Sequence, residues 1–296
     1  MKVLVTGMSG QVSRTLQERV GRHPGVILQV ACRPEFDLED ASRMARVLES
    51  HTPDIIISAA AYTDVDRAEA EQEIAQSVNA YGAGALSAIA ASSGIPIIHL
   101  STDYVFAGSA QNPYCELDAP DPQNVYGRTK LDGEYAVAAA NPRHIILRTS
   151  WLFSPYGRNF LKTLLEIAKD RPEVLVVSDQ WGNPTPATDL ADAIFHVVKQ
   201  LRNQTGETLY GTYHLAGAEF INRAEFARRV YAMSADKGGP TAAVKNILTR
   251  DFPLPASRPL NCRLQTEKFE RAFGWKMPNW TDSLDPILDR ILSQGE

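Results

Sequence analysis

At 296 residues the chain is about twice a typical single-domain length, so it holds one large domain or two joined ones. With 44% hydrophobic and 22% charged residues it is a globular sequence, long enough to fold without disulfide or metal staples. A net charge of −5 argues against a nucleic-acid partner, and three scattered cysteines (Cys32, Cys115, Cys262) without a CxxC pair exclude a disulfide framework or zinc knuckle.

The opening apolar run breaks at Gly7, too soon for a signal-peptide core. No stretch reaches the roughly 20 apolar residues of a membrane span, so a reducing cytoplasm without membrane partners is the expected setting. Strand-length runs at 2–6, 26–31, 54–58, 96–100 and 144–149 alternate with helical patterns at 12–20, 40–50, 69–93 and 127–140. Asp37 or Asp40 suits the cap of the second helix, and Asp64 and Asp66 suit the cap of the long third one. The run 54–58 (Asp-Ile-Ile-Ile-Ser) is apolar without alternation, as in a strand buried on both faces. This rhythm predicts βαβ crossovers, hence an α/β fold with a Rossmann-type, doubly wound parallel sheet over 1–150. After Trp151 the rhythm changes. Helices are expected at 159–169, 188–201, 222–233, 266–272 and 281–292, with strands at 174–177 and 213–215, and one strand can return to the main sheet. The stretch 151–296 is therefore a smaller C-terminal α/β half with some segments returning to the first.

Thr6-Gly7-Met8-Ser9-Gly10-Gln11-Val12-Ser13 lies between the first strand and first helix. Gly7 permits a tight turn, and Gly10 lets backbone N–H groups approach a pyrophosphate at the helix N-terminus. The spacing is GxxGxx, with Ser13 where a third small residue is usual. At the end of the second strand, where a carboxylate would hold a ribose hydroxyl, the chain reads Val30-Ala31-Cys32-Arg33. A guanidinium suits a 2′-phosphate, which favours NADPH, with NADH the alternative; a solvated surface role is the other reading of Arg33.

Ser101-Thr102-Asp103-Tyr104 follows the fourth strand and emerges at its carboxyl end, the ligand-binding edge of open parallel sheets. Tyr126 and Lys130 are four apart and share a helix face. A ketone receiving hydride needs a proton. A phenol can supply it when a nearby cation stabilises the phenolate, and a Ser or Thr hydroxyl can hydrogen-bond the developing oxyanion. Tyr-xxx-Lys alone is a weak signal; joined to the glycine turn and Thr102 it is strong. The six histidines lie singly, without metal-ligand spacing, and no metal is expected.

The turn 6–12, Ala59-Ala60-Ala61-Tyr62-Thr63-Asp64-Val65-Asp66, 101–106 and Tyr126–Glu134 resemble extended short-chain dehydrogenases. With Arg148-Thr149-Ser150-Trp151, Asp179–Thr185, Arg258–Cys262 and Thr266–Phe269, the chain more narrowly resembles the dTDP-4-dehydrorhamnose reductase family over most of its length. The resemblance implies reduction of a dTDP-linked 4-keto-6-deoxyhexose, dTDP-4-dehydro-L-rhamnose, to dTDP-L-rhamnose. It implies Tyr126 as general acid, Lys130 as its modulator and ribose ligand, and Thr102 beside the substrate oxygen. Gly7, Gly10, Gln11 and Val12 would cradle the pyrophosphate, and Ala61, Tyr62 and Thr63 would line the cofactor cleft. Asp37 and Leu38 match the adenine-side segment. Asp103, Tyr104 and Trp151 would contact the sugar nucleotide, and Arg258 would face its diphosphate. On this reading 1–150 is the NAD(P)-binding domain and 151–296 is mainly substrate-binding.

Two alternatives stay open. One is a reductase giving another C4 epimer or another deoxyhexose. The other is a non-catalytic regulatory subunit, since the β subunit of methionine adenosyltransferase is similar across the same N-terminal motifs. Trp151 and Asp179–Thr185 match the reductase side, although Trp151 also suits a packed interface aromatic. A homodimer is one assembly open to the chain.

Overall fold

In the computed structural model, which describes residues 1–202 and 209–293, the apolar runs of the first half become parallel strands. They are β1 (Lys2–Thr6), β2 (Ile27–Ala31), β3 (Ile55–Ser58), β4 (Ile97–Thr102) and β5 (His144–Thr149). The strand Gly211–His214 pairs in parallel with β5, giving a six-stranded sheet in the order Gly211–His214, β5, β4, β3, β1, β2. The order reverses between β1 and β3, which opens a crevice at their carboxyl ends.

Strand alternation divides the core. Val3, Val5 and Ile57 face one side, with Leu16 and the helix Ala187–Arg202; Leu4, Ile56 and Ile97 face the other, with Met44, Leu86 and Val137. Both faces are covered, so Ile55, Ile56 and Ile57 are all fully buried. A separate core gathers Phe153, Leu161, Leu164, Phe226, Val230, Trp280 and Leu284. Beside it, Glu173–Val177 pairs in parallel with Ala243–Ile247. That second strand is exposed at three of its five residues, too sparse an apolar pattern to be read from sequence.

The second helix runs Ala41–His51 and is capped by Asp40, whose carboxylate accepts from Ser42 N and Arg43 N. The single long helix expected over 69–93 is instead broken into Val65–Ala70, Gln72–Gln76, a π-helical turn Ser77–Gly82 and Ala83–Ser92. The wide turn carries the buried Asn79 side chain to the loop after β3. Its Oδ1 accepts from Tyr62 N at 2.8 Å, and its Nδ2 donates to Tyr62 O and Thr129 Oγ1, both at 3.0 Å. Glycine is required nearby, because a Cβ at Gly82 would lie 2.4 Å from Leu38 O. The Ala-rich pattern hides this interruption, since a π turn shifts phase without a breaking residue.

Candidate active site

The helix Val125–Ala140 begins where Asn124 caps it, accepting from Gly127 N at 2.7 Å while donating to Ser257 O at 2.8 Å. A Cβ at Gly127 would lie 2.2 Å from Tyr104 O, so glycine there lets the helix start directly against the segment leaving β4. Tyr126 is consequently brought beside Thr102, and the rings of Tyr126 and Tyr104 meet edge-on at 5.9 Å. Burial pushes the Tyr126 phenol up to about 12, against the lowering pull of Thr102 and with a raising push from Asp103. The group therefore stays protonated at neutral pH.

Lys130 is also on this helix and buried, but its ammonium is directed at the sheet. It donates to Leu100 O at 2.7 Å and lies 3.3 Å from His99 Nε2. Burial pulls Lys130 down to about 8, opposed by Glu134. Burial, and then the Lys130 charge, hold His99 well below its usual range, so it is neutral; its Nδ1 lies 3.1 Å from Ser58 Oγ. Below this, Glu134 accepts from Ser101 Oγ at 2.5 Å and pairs with Arg148 at 2.7 Å, tying the helix to β4 and β5 inside the protein.

At the other end of the crevice Gly7 has φ +85° and donates its N–H to Ala31 O at 2.8 Å. Gly10 begins the helix Gln11–Arg19 without a side-chain cap, and nothing lies within 4 Å of where its Cβ would be. The open N-terminus and the side-chain-free approach fit a dinucleotide pyrophosphate. Ser13 does more than stay small: its hydroxyl donates to Gly7 O and closes the turn. The Val12 side chain is in the core, which leaves its N–H for a ligand. Gln11 Oε1 accepts from Ser154 Oγ at 2.8 Å and Asn159 Nδ2 at 3.1 Å, joining the turn to the second half. Thr6 Oγ1 accepts from Ala59 N and Ala60 N at 3.0 Å, shaping the 59–63 loop. Within that loop Ala61 and Tyr62 are half-buried and Thr63 exposed, and the Tyr62 phenol donates to Glu71 at 2.8 Å.

Arg33 is 66% exposed and sits between Asp37 at 2.9 Å and Glu39 at 3.2 Å. Leu38 is buried in the core with Met44 and Leu86, so only its backbone can meet a cofactor.

The third part of the site comes from the second half. Trp151 has φ +43°, and its indole is so close to Gly182 that a Cβ there would lie 2.4 Å from the ring. The Arg223 guanidinium stacks over the ring, 3.7 Å from its centre. Asp103 accepts from Thr102 Oγ1 at 2.9 Å and Ser150 Oγ at 3.0 Å, and burial raises its pKa. The buried Cys262 thiol faces it and is pushed well up by that burial. Arg258 pairs with Asp66 at 2.8 Å and donates to Ala256 O at 3.0 Å. The expectation that both Asp64 and Asp66 cap a helix is therefore half corrected. Asp64 caps, accepting from Arg67 N at 3.2 Å; Asp66 turns away because Arg258 and Ala256 N bind its carboxylate.

Thr102, Asp103, Tyr104, Tyr126, Trp151 and Arg258 thus gather on one side of the crevice and the glycine turn on the other. His99, Ser150, Arg223 and Cys262 were not singled out by the sequence reading. Ser150 and Cys262 lay inside motifs noted for their neighbours; Arg223 carries no local signal. Among the described residues no three His, Cys, Asp or Glu side chains converge as a metal site would need, and no helix is long and apolar enough to cross a membrane.

The model of the RmlD substrate binding domain matches residues 1–293. The chain is 43% identical to a dTDP-4-dehydrorhamnose reductase of Sinorhizobium fredii, covering 100% of this chain and 99% of the relative. It is 40% identical to the protein of that name in Salmonella typhimurium, over 99% of each. Among solved structures, a dTDP-4-dehydrorhamnose reductase from Bacillus anthracis in complex with NADP matches with a TM-score of 0.89 at 32% identity, covering 98% of this chain and 99% of that one. With this agreement along its whole length, the chain belongs to the dTDP-4-dehydrorhamnose reductase family.

Proposed function

We propose that the chain reduces dTDP-4-dehydro-L-rhamnose to dTDP-L-rhamnose, with Tyr126 as the proton donor. The observation that carries the assignment of roles is the placing of the buried Tyr126 phenol beside Thr102 and Tyr104 at the carboxyl end of β4, by the crevice that the glycine turn borders. NADPH is the cofactor, as in the family, and when bound it supplies a hydride to C4 of the keto sugar.

The chain's own residues do the rest. Gly7, Gly10, Gln11 and Val12 offer backbone N–H groups to the pyrophosphate, and Ala61, Tyr62 and Thr63 wall the cleft. Arg33 is assigned to the 2′-phosphate, Asp37 and the Leu38 backbone to the adenosine side. Lys130, an ammonium below about pH 8, is placed to turn from Leu100 O toward the nicotinamide ribose. Tyr126 holds its proton up to about pH 12 and gives it to the oxygen on C4, while Thr102 hydrogen-bonds that oxygen. Asp103, Tyr104, Trp151 and Arg258 line the sugar-nucleotide side. Residues 1–150 thus serve the cofactor and the chemistry, and 151–296 mainly the substrate. Three free cysteines support a reducing, cytoplasmic setting.

Mixing the protein with NADPH and dTDP-4-dehydro-L-rhamnose should consume the nicotinamide absorbance, and NMR of the product should show the L-rhamno configuration at C4. Absence of turnover with NADPH and with NADH would overturn the reading.

A further inference from the structure

Arg223 opens the helix Arg223–Asp236, which Asn222 caps by accepting from Glu225 N at 2.9 Å. Its backbone N–H donates to Gln180 O at 3.1 Å. The guanidinium lies 3.7 Å from the centre of the Trp151 ring and 4.9 Å from that of Phe160. Tyr104, Cys262, Asp103 and Arg258 face it. Asp103 is the carboxyl in this group. Thr102 and Ser150 occupy it, and among the described residues no carboxylate forms an ion pair with Arg223. Arg258, by contrast, is already paired with Asp66.

A half-buried guanidinium without an acceptor leaves a partly desolvated charge uncompensated. Stacked on Trp151, it makes no side-chain hydrogen bond or ion pair among the described residues, and its N–H fork matches pairs of phosphate oxygens. The indole it stacks on packs closely against Gly182, where a Cβ would lie 2.4 Å from the ring. Burial lowers the pKa of Arg223, because desolvation disfavours its charged form.

We infer that Arg223, seated on Trp151, binds the diphosphate of the nucleotide-linked substrate, while Arg258 chiefly holds the 256–258 segment through Asp66. This rests on the reading above that a sugar nucleoside diphosphate enters on this side.

Calorimetric titration of the full chain with dTDP and with thymidine tests it. Arg223→Gln should weaken dTDP by about 10- to 100-fold, the cost of a lost charge-assisted contact, and leave thymidine unchanged. Arg223→Lys should recover part of the loss, since it keeps the charge but not the fork. Arg258→Gln should weaken dTDP less than Arg223→Gln does. Equal weakening of dTDP and thymidine, unchanged dTDP binding, or a larger effect at Arg258 would each overturn the assignment. Wild-type turnover is measured alongside. If dTDP binding depends on Arg223 but the keto sugar is not reduced, the reaction is wrong and the diphosphate site stands. If the keto sugar is reduced and Arg223→Gln leaves its KM unchanged, the diphosphate site alone falls.

Discussion

Thr102, Tyr126 and Lys130 stand on one strand end and one helix within 30 residues of chain, whereas Trp151, Arg223 and Arg258 are brought together from loops and element ends. On the sheet side, ladder and helix hydrogen bonds set each Cα, so side-chain positions follow from strand register and helix period. On the lobe side, position depends on contacts across the fold: Trp151 against Gly182, Arg223 on Trp151, and Arg258 against Asp66, 192 residues away. The contrast suits the proposed division of labour. Proton transfer tolerates little displacement, while recognition of a substrate is commonly carried by loops on a rigid scaffold.

The contrast breaks most directly at Tyr126. Tyr126→Phe should lower kcat by about 10²- to 10⁴-fold while NADPH affinity, read by fluorescence titration, stays put. A fully active variant would remove the reaction from the sheet side. Next is the rigidity of that side. Glu134→Gln leaves the buried Arg148 cation short of its partner and should cost about 3–5 kcal/mol in denaturant unfolding. Unchanged stability would show that the buried pair does not hold the helix to β4 and β5.

On the lobe side, Gly182→Ala drives a methyl into the Trp151 ring and should cost about 1–3 kcal/mol. The KM for the sugar nucleotide should rise, NADPH affinity should not, and the tryptophan near-UV circular dichroism should change. Coupled loss of NADPH binding would show that the two sides are not separable. The smallest effect is a pH limb. Lys130 loses its charge near pH 8, so kcat/KM should fall on the alkaline side of that value, and Lys130→Arg should move the limb upward. The sign for stability is opposite. The folded pKa lies below the lysine reference of 10.5, so the unfolded chain binds more protons between about 8 and 10.5, and the Lys130 contribution to stability rises with pH in that window.

The sheet was legible because Ile55–Ser58 and its neighbours carry strand signals in their own residues, whereas the Asn124 cap, ahead of the expected helix start at Gly127, was not read. The π turn around Asn79 was not legible, because its cause is a carboxamide reaching Tyr62 and Thr129. Ala243–Ile247 was not either, since its partner strand rather than its pattern makes it a strand. At the site, Tyr126 and Thr102 could be named from spacing. The direction of the Lys130 ammonium, toward Leu100 O and His99, could not.

Apolar periodicity, glycines at a strand–helix turn and a tyrosine four residues before a lysine are local, so the sequence by itself determined the α/β class and marked the proposed cofactor turn and proton donor. Which charges remain free is a tertiary matter. Asp66 neutralises Arg258 and leaves Arg223 open only because the fold brings segments 66, 151, 223 and 258 together, and no local period encodes an electrostatic balance among residues so far apart.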